Sequence, residues 1–394
     1  MSENKAQAQS VLGEMSPSKA IVKLAVPATL ALLAKAVYNL VDTAYIGMLD
    51  SDIALTAVGV TVPLLLIMVS IENIFAAGAA VLAGRQLGAK DQEGASRTVT
   101  TIIGLSVVLG VLLCVGGIVF IDPLMRAFGA SEASLPLATT VSQFVTFFIL
   151  IWFYASGRSV IKLKAKAFRP SWGLVKTVTM IGIPTAVIQI CLSVASSLTN
   201  IAAASLPQSD EIIAAYGVVQ RLVLIGYYVV MGFMQGYQPV ASYAFGAKNE
   251  DRFHQAVRFA LKGALLLTVL VAAVYILLSK PLILLFNRNP VIVDYGRRLL
   301  ISQVVLYPAF GLCYMMTITY QTIGASRYGL FLSLIRQGLF YVPFIMTLPR
   351  LLGVTGIYCS QPAADLLTIV VCVLSVRSMK AIASKNMGTP QEKQ

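Results

Sequence analysis

Charge is what this sequence has least of. Only 12% of its 394 residues are Asp, Glu, Lys or Arg, and 57% are apolar, whereas soluble domains carry about 25% charged residues. So few charges cannot clothe a water-facing surface, so the outer surface must face lipid. Histidine is nearly missing: His254 stands alone beside a basic loop, which excludes a zinc site or a His-based triad. The five cysteines, Cys114, Cys191, Cys313, Cys359 and Cys372, lie in apolar stretches without C-x-x-C spacing. They read as buried small hydrophobes, not as ligands or disulfide partners. There is no Walker-A pattern, so ATP is not the expected energy source, and no hydrolase or metal constellation marks an enzyme. Residues 1–20 are polar and lack the apolar core of a cleaved signal; the first span is expected to be its own targeting signal.

What is present is a series of long uncharged runs. Residues 98–121, 177–206 and 299–326 contain no charged side chain, and 351–376 contains only Asp365. A span needs roughly 20 apolar residues at about 1.5 Å each. We read ten spans: 24–47, 54–83, 98–121, 137–156, 177–206, 212–241, 263–279, 299–323, 328–349 and 352–376. The net charge of +13 sits in short clusters between these spans, a topology signal that argues against nucleic acid as a partner. The loops and tails on the side of the two termini hold 21 of the 30 Lys and Arg, the other side 6, and Lys35, Arg221 and Arg336 lie inside spans. The positive-inside rule then predicts cytoplasmic termini. Segment 157–176 carries Arg158, Lys162, Lys164, Lys166, Arg169 and Lys176 and no acid, as a cytoplasmic linker between two lobes would.

The chain repeats itself. Gly59 and Gly217, Gly78 and Gly236, Gly88-Ala89-Lys90 and Gly246-Ala247-Lys248, Pro123-Leu124 and Pro281-Leu282, and Phe128 and Phe286 all match at an offset of 158. Pro27 matches Pro184 at 157. Such repeats mark secondary transporters, and an even number of helices per half makes them parallel. A second anchor, Ser156, Arg158 and Ser159 against Ser375, Arg377 and Ser378, has an offset of 219. The excess of 61 residues suffices for two helices, placing a gap near Pro136-Leu137. The expected architecture is all-α and polytopic. A four-helix lobe (1–156) is followed by the linker (157–176), a six-helix lobe (177–380) and a cytoplasmic tail (381–394).

Tyr38-Asn39-Leu40-Val41-Asp42-Thr43 in the first span resembles the signature of multidrug and toxic compound extrusion transporters. So do Arg85 to Lys90, Ala138-Thr139 with Val141-Ser142-Gln143, Gly182-Ile183-Pro184, Gly246-Ala247-Lys248 and Pro362-Ala363-Ala364-Asp365. The resemblance runs from about Ser18 to Met379. It implies two six-helix lobes around a central cavity. It also implies export of bulky, amphipathic, often cationic drugs or toxins across the inner membrane against H⁺ or Na⁺, without another cofactor, by a monomer. This chain departs from the pattern in lacking the fourth and fifth helices, the fifth of which carries partners of the first-helix aspartate in many relatives.

Each charge inside a span costs about 2.5–3.5 kcal/mol on insertion scales and needs a reason. Asp42 shares a helical stripe with Lys35 and Tyr38. It reads either as the acceptor of the coupling cation, with Tyr38, Asn39, Lys35 and Thr139 around it, or as a neutralised packing contact. Glu72 faces a cavity or bonds a neighbour in protonated form. Arg221 snorkels, and Asp365 pairs with Arg336. Polar and soft residues in otherwise apolar spans, Gln189, Asn200, Tyr227, Met231, Met234, Gln235 and Gln238, are the cavity candidates, each with helix packing as its alternative. Two competing readings are a lipid-linked precursor flippase, which needs arginines to hold pyrophosphate, and a truncated remnant that no longer transports.

Overall fold

The computed structural model describes residues 10–47, 52–119 and 170–388, with side chains over 11–37, 69–110 and 170–388. The expected span 137–156, most of the linker and the gap lie outside these residues. Every regular element among the described residues is helical. A π turn, Ser10–Glu14, precedes α1 (Pro17–Gly47), α2 (Asp52–Gly88) and α3 (Gln92–Val119). Then follow α4 (Trp172–Ala204), α5 (Ser209–Gly246), α6 (Glu250–Leu277), the short α7 (Ser279–Leu284), α8 (Pro290–Val304) and α9 (Pro308–Thr322). The chain continues through α10 (Ser326–Leu334), a π segment (Ile335–Tyr341), α11 (Val342–Leu352) and α12 (Val354–Gly388).

The polarity of the fold is inverted relative to a water-soluble protein. Leu277 and Leu374 are 80% and 72% exposed, whereas Asp365 and Gln321 are fully buried. Six described helices are long and apolar enough to cross a membrane, and α8 with α9 makes a seventh, bent by 43°. The expected unbroken span 299–323 is therefore corrected: it begins at Pro290 and breaks at Pro308, which lacks the N–H needed to continue the ladder. The span 328–349 is realised as α10, the π segment and α11 in succession. Its widened turn precedes Pro343, whose ring crowds the carbonyl four residues earlier, that of Leu339.

Helix ends follow local sequence. Asn249 caps α6 by accepting from the Arg252 N–H at 2.9 Å, with Glu250 and Asp251 in the first turn facing the positive end of the helix dipole. Offset by 158, Asp91 accepts from Gly94 N–H at 2.8 Å before α3. The preceding helix stops match as well. Lys90 and Lys248 both take positive φ, 63° and 54°, and the Asp91→Gln86 and Asn249→Ala244 backbone bonds close the same turn at 2.8 and 3.1 Å. The repeat read from sequence thus extends to individual hydrogen bonds.

The two halves pack crosswise. α1 lies along α5, and α2 lies along α4 and α5, while α1 and α2 barely touch each other. Lipid tails are as apolar as leucine, so membrane helices associate by close packing at small residues. A Cβ on Gly88 would stand 2.1 Å from the Tyr243 carbonyl oxygen, and one on Gly246 would stand 2.0 Å from that of Arg85. Gly88 and Gly246 are repeat partners, and so are Arg85 and Tyr243. The contact is reciprocal, as a two-fold axis along the membrane normal between parallel repeats requires.

Candidate functional site

Inside the second half, between α4, α5, α8, α9, the π segment and α12, lies a cavity of about 210 Å³. Helical spacing builds its walls. Gln189, Ser193 and Ser196 follow one stripe of α4, and Tyr216, Gln220 and Tyr227 follow one stripe of α5. The break between α8 and α9 contributes Gln303, Tyr307 and Phe310, the π segment Arg336, Gln337 and Tyr341, and α12 Gln361. Two irregularities that interrupt the ladder, the break before Pro308 and the π segment before Pro343, thus both border the chamber. π turns recur at functional sites.

Among the described residues, the chamber's one charged wall residue is neutralised from behind. Arg336 Nε donates to Asp365 Oδ1 at 2.7 Å and Nη2 to Oδ2 at 3.3 Å, and Gln361 Nε2 adds a bond to Oδ1 at 2.9 Å. The guanidinium also lies 5.3 Å from the Phe310 ring centroid. Asp365 is fully buried, and excellent geometry with extra hydrogen bonds is what such a pair needs to offset desolvation. Around it the Tyr227 hydroxyl donates to Gln189 Oε1 at 3.0 Å, and Thr199 and Tyr341 share a bond of 2.8 Å. Phe310 stacks on Tyr314, and Tyr227 and Tyr307 tilt against it. The Gln337 side-chain oxygen, Oε1, is buried without a hydrogen-bond partner.

A second polar cluster joins the halves. Arg85, at the end of α2, donates through Nε to the Thr322 carbonyl at 2.8 Å and through Nη2 to that of Gln321. Its guanidinium lies 5.5 Å from the Phe245 ring centroid. Asn386 donates to the next carbonyl, Ile323, at 2.8 Å. Three successive carbonyls at the C-terminal end and cap of α9, where intrahelical donors run out, are therefore met by side chains, one of them from the first half. In return Arg252, in the second half, donates to the Leu12 and Met15 carbonyls at 2.5 and 2.7 Å.

Of the cavity candidates read from sequence, Gln189 and Tyr227 line the chamber. Met234 and Gln238 are buried and Met231 partly so, while Asn200, Gln235 and Glu72 are exposed; none of these six is a wall residue of the chamber. Lys35 is exposed on α1. Tyr38, Asn39 and Asp42 lie on α1 with side chains outside the described ones, and Thr139 lies outside the described residues. Arg221 is exposed, and Cys191, Cys313 and Cys372 are buried, whereas Cys359 is exposed. Sequence reading missed Tyr216, Gln220 and Gln337, and it also missed four wall residues that stand beside prolines: Gln303, Tyr307, Tyr341 and Gln361. The prolines at 308, 343 and 362 are the signal that could have found them, since each stands within five residues of a wall residue.

A family model described as MatE matches residues 27–162 and 184–347. The multidrug export protein MepA of Staphylococcus haemolyticus is 20% identical over 432 residues, covering 93% of this chain and 95% of the relative. MepA of Staphylococcus aureus strain NCTC 8325 is 22% identical over 430 residues, covering 92% and 94%. Among solved structures, an outward-facing multidrug resistance MATE transporter of the MOP superfamily superposes with a TM-score of 0.86 at 20% identity, over 95% of this chain and 98% of that one. A MOP-superfamily transporter from Pyrococcus furiosus Vc1 gives 0.85 at 20% identity, over 97% and 98%.

Proposed function

Since the chain belongs to the MatE family of multidrug efflux transporters, we propose that it is a secondary active antiporter. It exports amphipathic, often cationic compounds in exchange for H⁺ or Na⁺. The observation that carries the transport part of this reading, as distinct from the charge of the substrate, is a chamber of glutamine and tyrosine side chains sunk among lipid-facing helices. Polar groups are expensive within a bilayer and mark substrate or ion pathways. The reciprocal seam adds a place about which two lobes can rock, as alternating access requires. The proposed orientation has both termini in the cytoplasm of a cell whose inner membrane the chain spans as a monomer. The seam at Gly88 and Gly246 then lies on the cytoplasmic side, next to two of the basic loops.

The proposed gap of one helix pair in the first lobe, leaving four helices against six, gains support from the relatives. The match to MepA spans 432 positions; less 93% of this chain's 394 residues, that leaves roughly 65 positions without a counterpart here. The 61-residue difference between repeat offsets has the same size. The flippase alternative has less to stand on: the arginine lining the chamber is already paired with Asp365.

Coupling is assigned to Asp42. An unpaired carboxylate within a span is too costly to stay ionised, so it is protonated or ion-bound for much of the cycle. Substrate and cation couple if each favours a different charge state or conformation. Asp42→Asn mimics the protonated form and should abolish gradient-driven drug efflux in reconstituted vesicles while drug binding persists. Equal gradient-driven efflux by both proteins would remove Asp42 from that role. Efflux by neither would favour the remnant.

A further inference from the structure

The walls of the second-lobe chamber do not suit the organic cations that the export reading assigns to the protein as a whole. Among the described wall residues there is no carboxylate. The one charged wall group is a guanidinium, and its counter-charge, Asp365, stands outside the wall with both oxygens engaged by Arg336 and Gln361. A cation entering the chamber meets a positive group at close range and finds no free negative one. It also finds the Phe310 face, the natural seat for a cation over an aromatic ring, facing the protein's own guanidinium at 5.3 Å. An anion fares no better, because it must compete with a carboxylate already placed at 2.7 Å.

What the chamber offers instead is neutral and two-sided. Five glutamines, Gln189, Gln220, Gln303, Gln337 and Gln361, place amides in its walls, each able to donate and accept. Gln337 Oε1 lacks a partner, and an unpaired buried acceptor favours a ligand that brings a donor. Tyr216, Tyr227, Tyr307 and Tyr341 supply flat apolar area. The volume of about 210 Å³ exceeds the roughly 150 Å³ of a cavity that holds benzene and falls below the range of about 300–1,000 Å³ for drug-sized ligands. We propose that this chamber is a binding site for small, uncharged aromatic molecules carrying both a hydrogen-bond donor and an acceptor, of which aromatic amides are the type. It would be distinct in preference from any cation site on the first lobe. The proposal rests on the reading of the protein as an exporter with its substrate path through this chamber.

Three probes of nearly one shape separate the charge classes: benzamide, benzamidinium and benzoate. Binding is measured on the full chain in lipid nanodiscs, without a gradient, by saturation-transfer NMR titration against empty nanodiscs. A failure of transport therefore leaves this result standing, and the reverse. Benzamide should bind about tenfold tighter than either ion. Gln189→Glu keeps the acceptor for Tyr227 while adding a carboxylate to the wall, and should turn the preference toward benzamidinium. Ser193→Phe, which fills the chamber, should abolish the benzamide signal. Benzamidinium binding as well as benzamide in the native chain would overturn the proposal. So would a benzamide signal unchanged by Ser193→Phe, or no saturable binding of any probe, which would leave the chamber to water.

Discussion

Arg336 and Asp365 are two charges in adjacent spans that hold each other at 2.7 Å. Removing one member of such a pair strands the other, at about 3–5 kcal/mol, whereas replacing both by apolar groups is often neutral. Asp365→Asn should therefore lower the thermal unfolding midpoint in detergent clearly, and Arg336→Met with Asp365→Leu should lower it less. A double variant less stable than the single one would show that the pair contributes net stability. This pairing is legible in the sequence, because two costly charges in otherwise uncharged spans have little choice but each other. The chamber is less so. Gln189 and Tyr227 look like Asn200 and Gln235 in sequence, and only the rotation of each helix about its axis separates wall from exterior. Hydrophobic periodicity does not give that rotation when lipid-facing and core-facing residues are both apolar, as Leu374 and Ile357 are.

At the scale of elements, the C-terminus of α9 depends on a side chain from the other half. Arg85 bonds the Gln321 and Thr322 carbonyls, and hydrogen bonds to a charged group contribute about 1.5–3 kcal/mol. Opening the seam at that end has to withdraw it. Arg85→Gln should then enrich the state open on that side by roughly 10- to 100-fold. The readout is alkylation of a cysteine placed at Ser242, buried in the seam, in a chain lacking the native cysteines. Unchanged labelling would reduce Arg85 to a helix cap. Helix order is largely legible from uncharged runs: of the ten expected spans, 137–156 lies outside the described residues, 299–323 is broken, and the other eight overlap described helices. The break at Pro308 is harder to see, because 299–326 contains no charge to mark a boundary.

For the whole molecule, the distribution of Lys and Arg predicts which way it faces. Single cysteines at Lys164 and Pro390 should resist an impermeant thiol reagent on intact cells and react once the cells are opened. Labelling of either on intact cells would reverse the proposed orientation. The repeat was visible in a handful of glycines, prolines and loop residues at one offset. Its geometric consequence was not, since a linear offset says nothing about which repeat partners touch.

That touching has a consequence for descent. Gly88 meets the turn at Tyr243 just as Gly246 meets the turn at Arg85, so each half presents to the other the surface it receives. This is the self-complementary geometry of a symmetric homodimer. It is the geometry that duplication and fusion of a gene for one self-pairing half would leave. In such a pair a single substitution at the glycine alters the contact twice. After fusion each copy became free to change alone, so the joint between the halves no longer had to stay symmetric to survive a substitution.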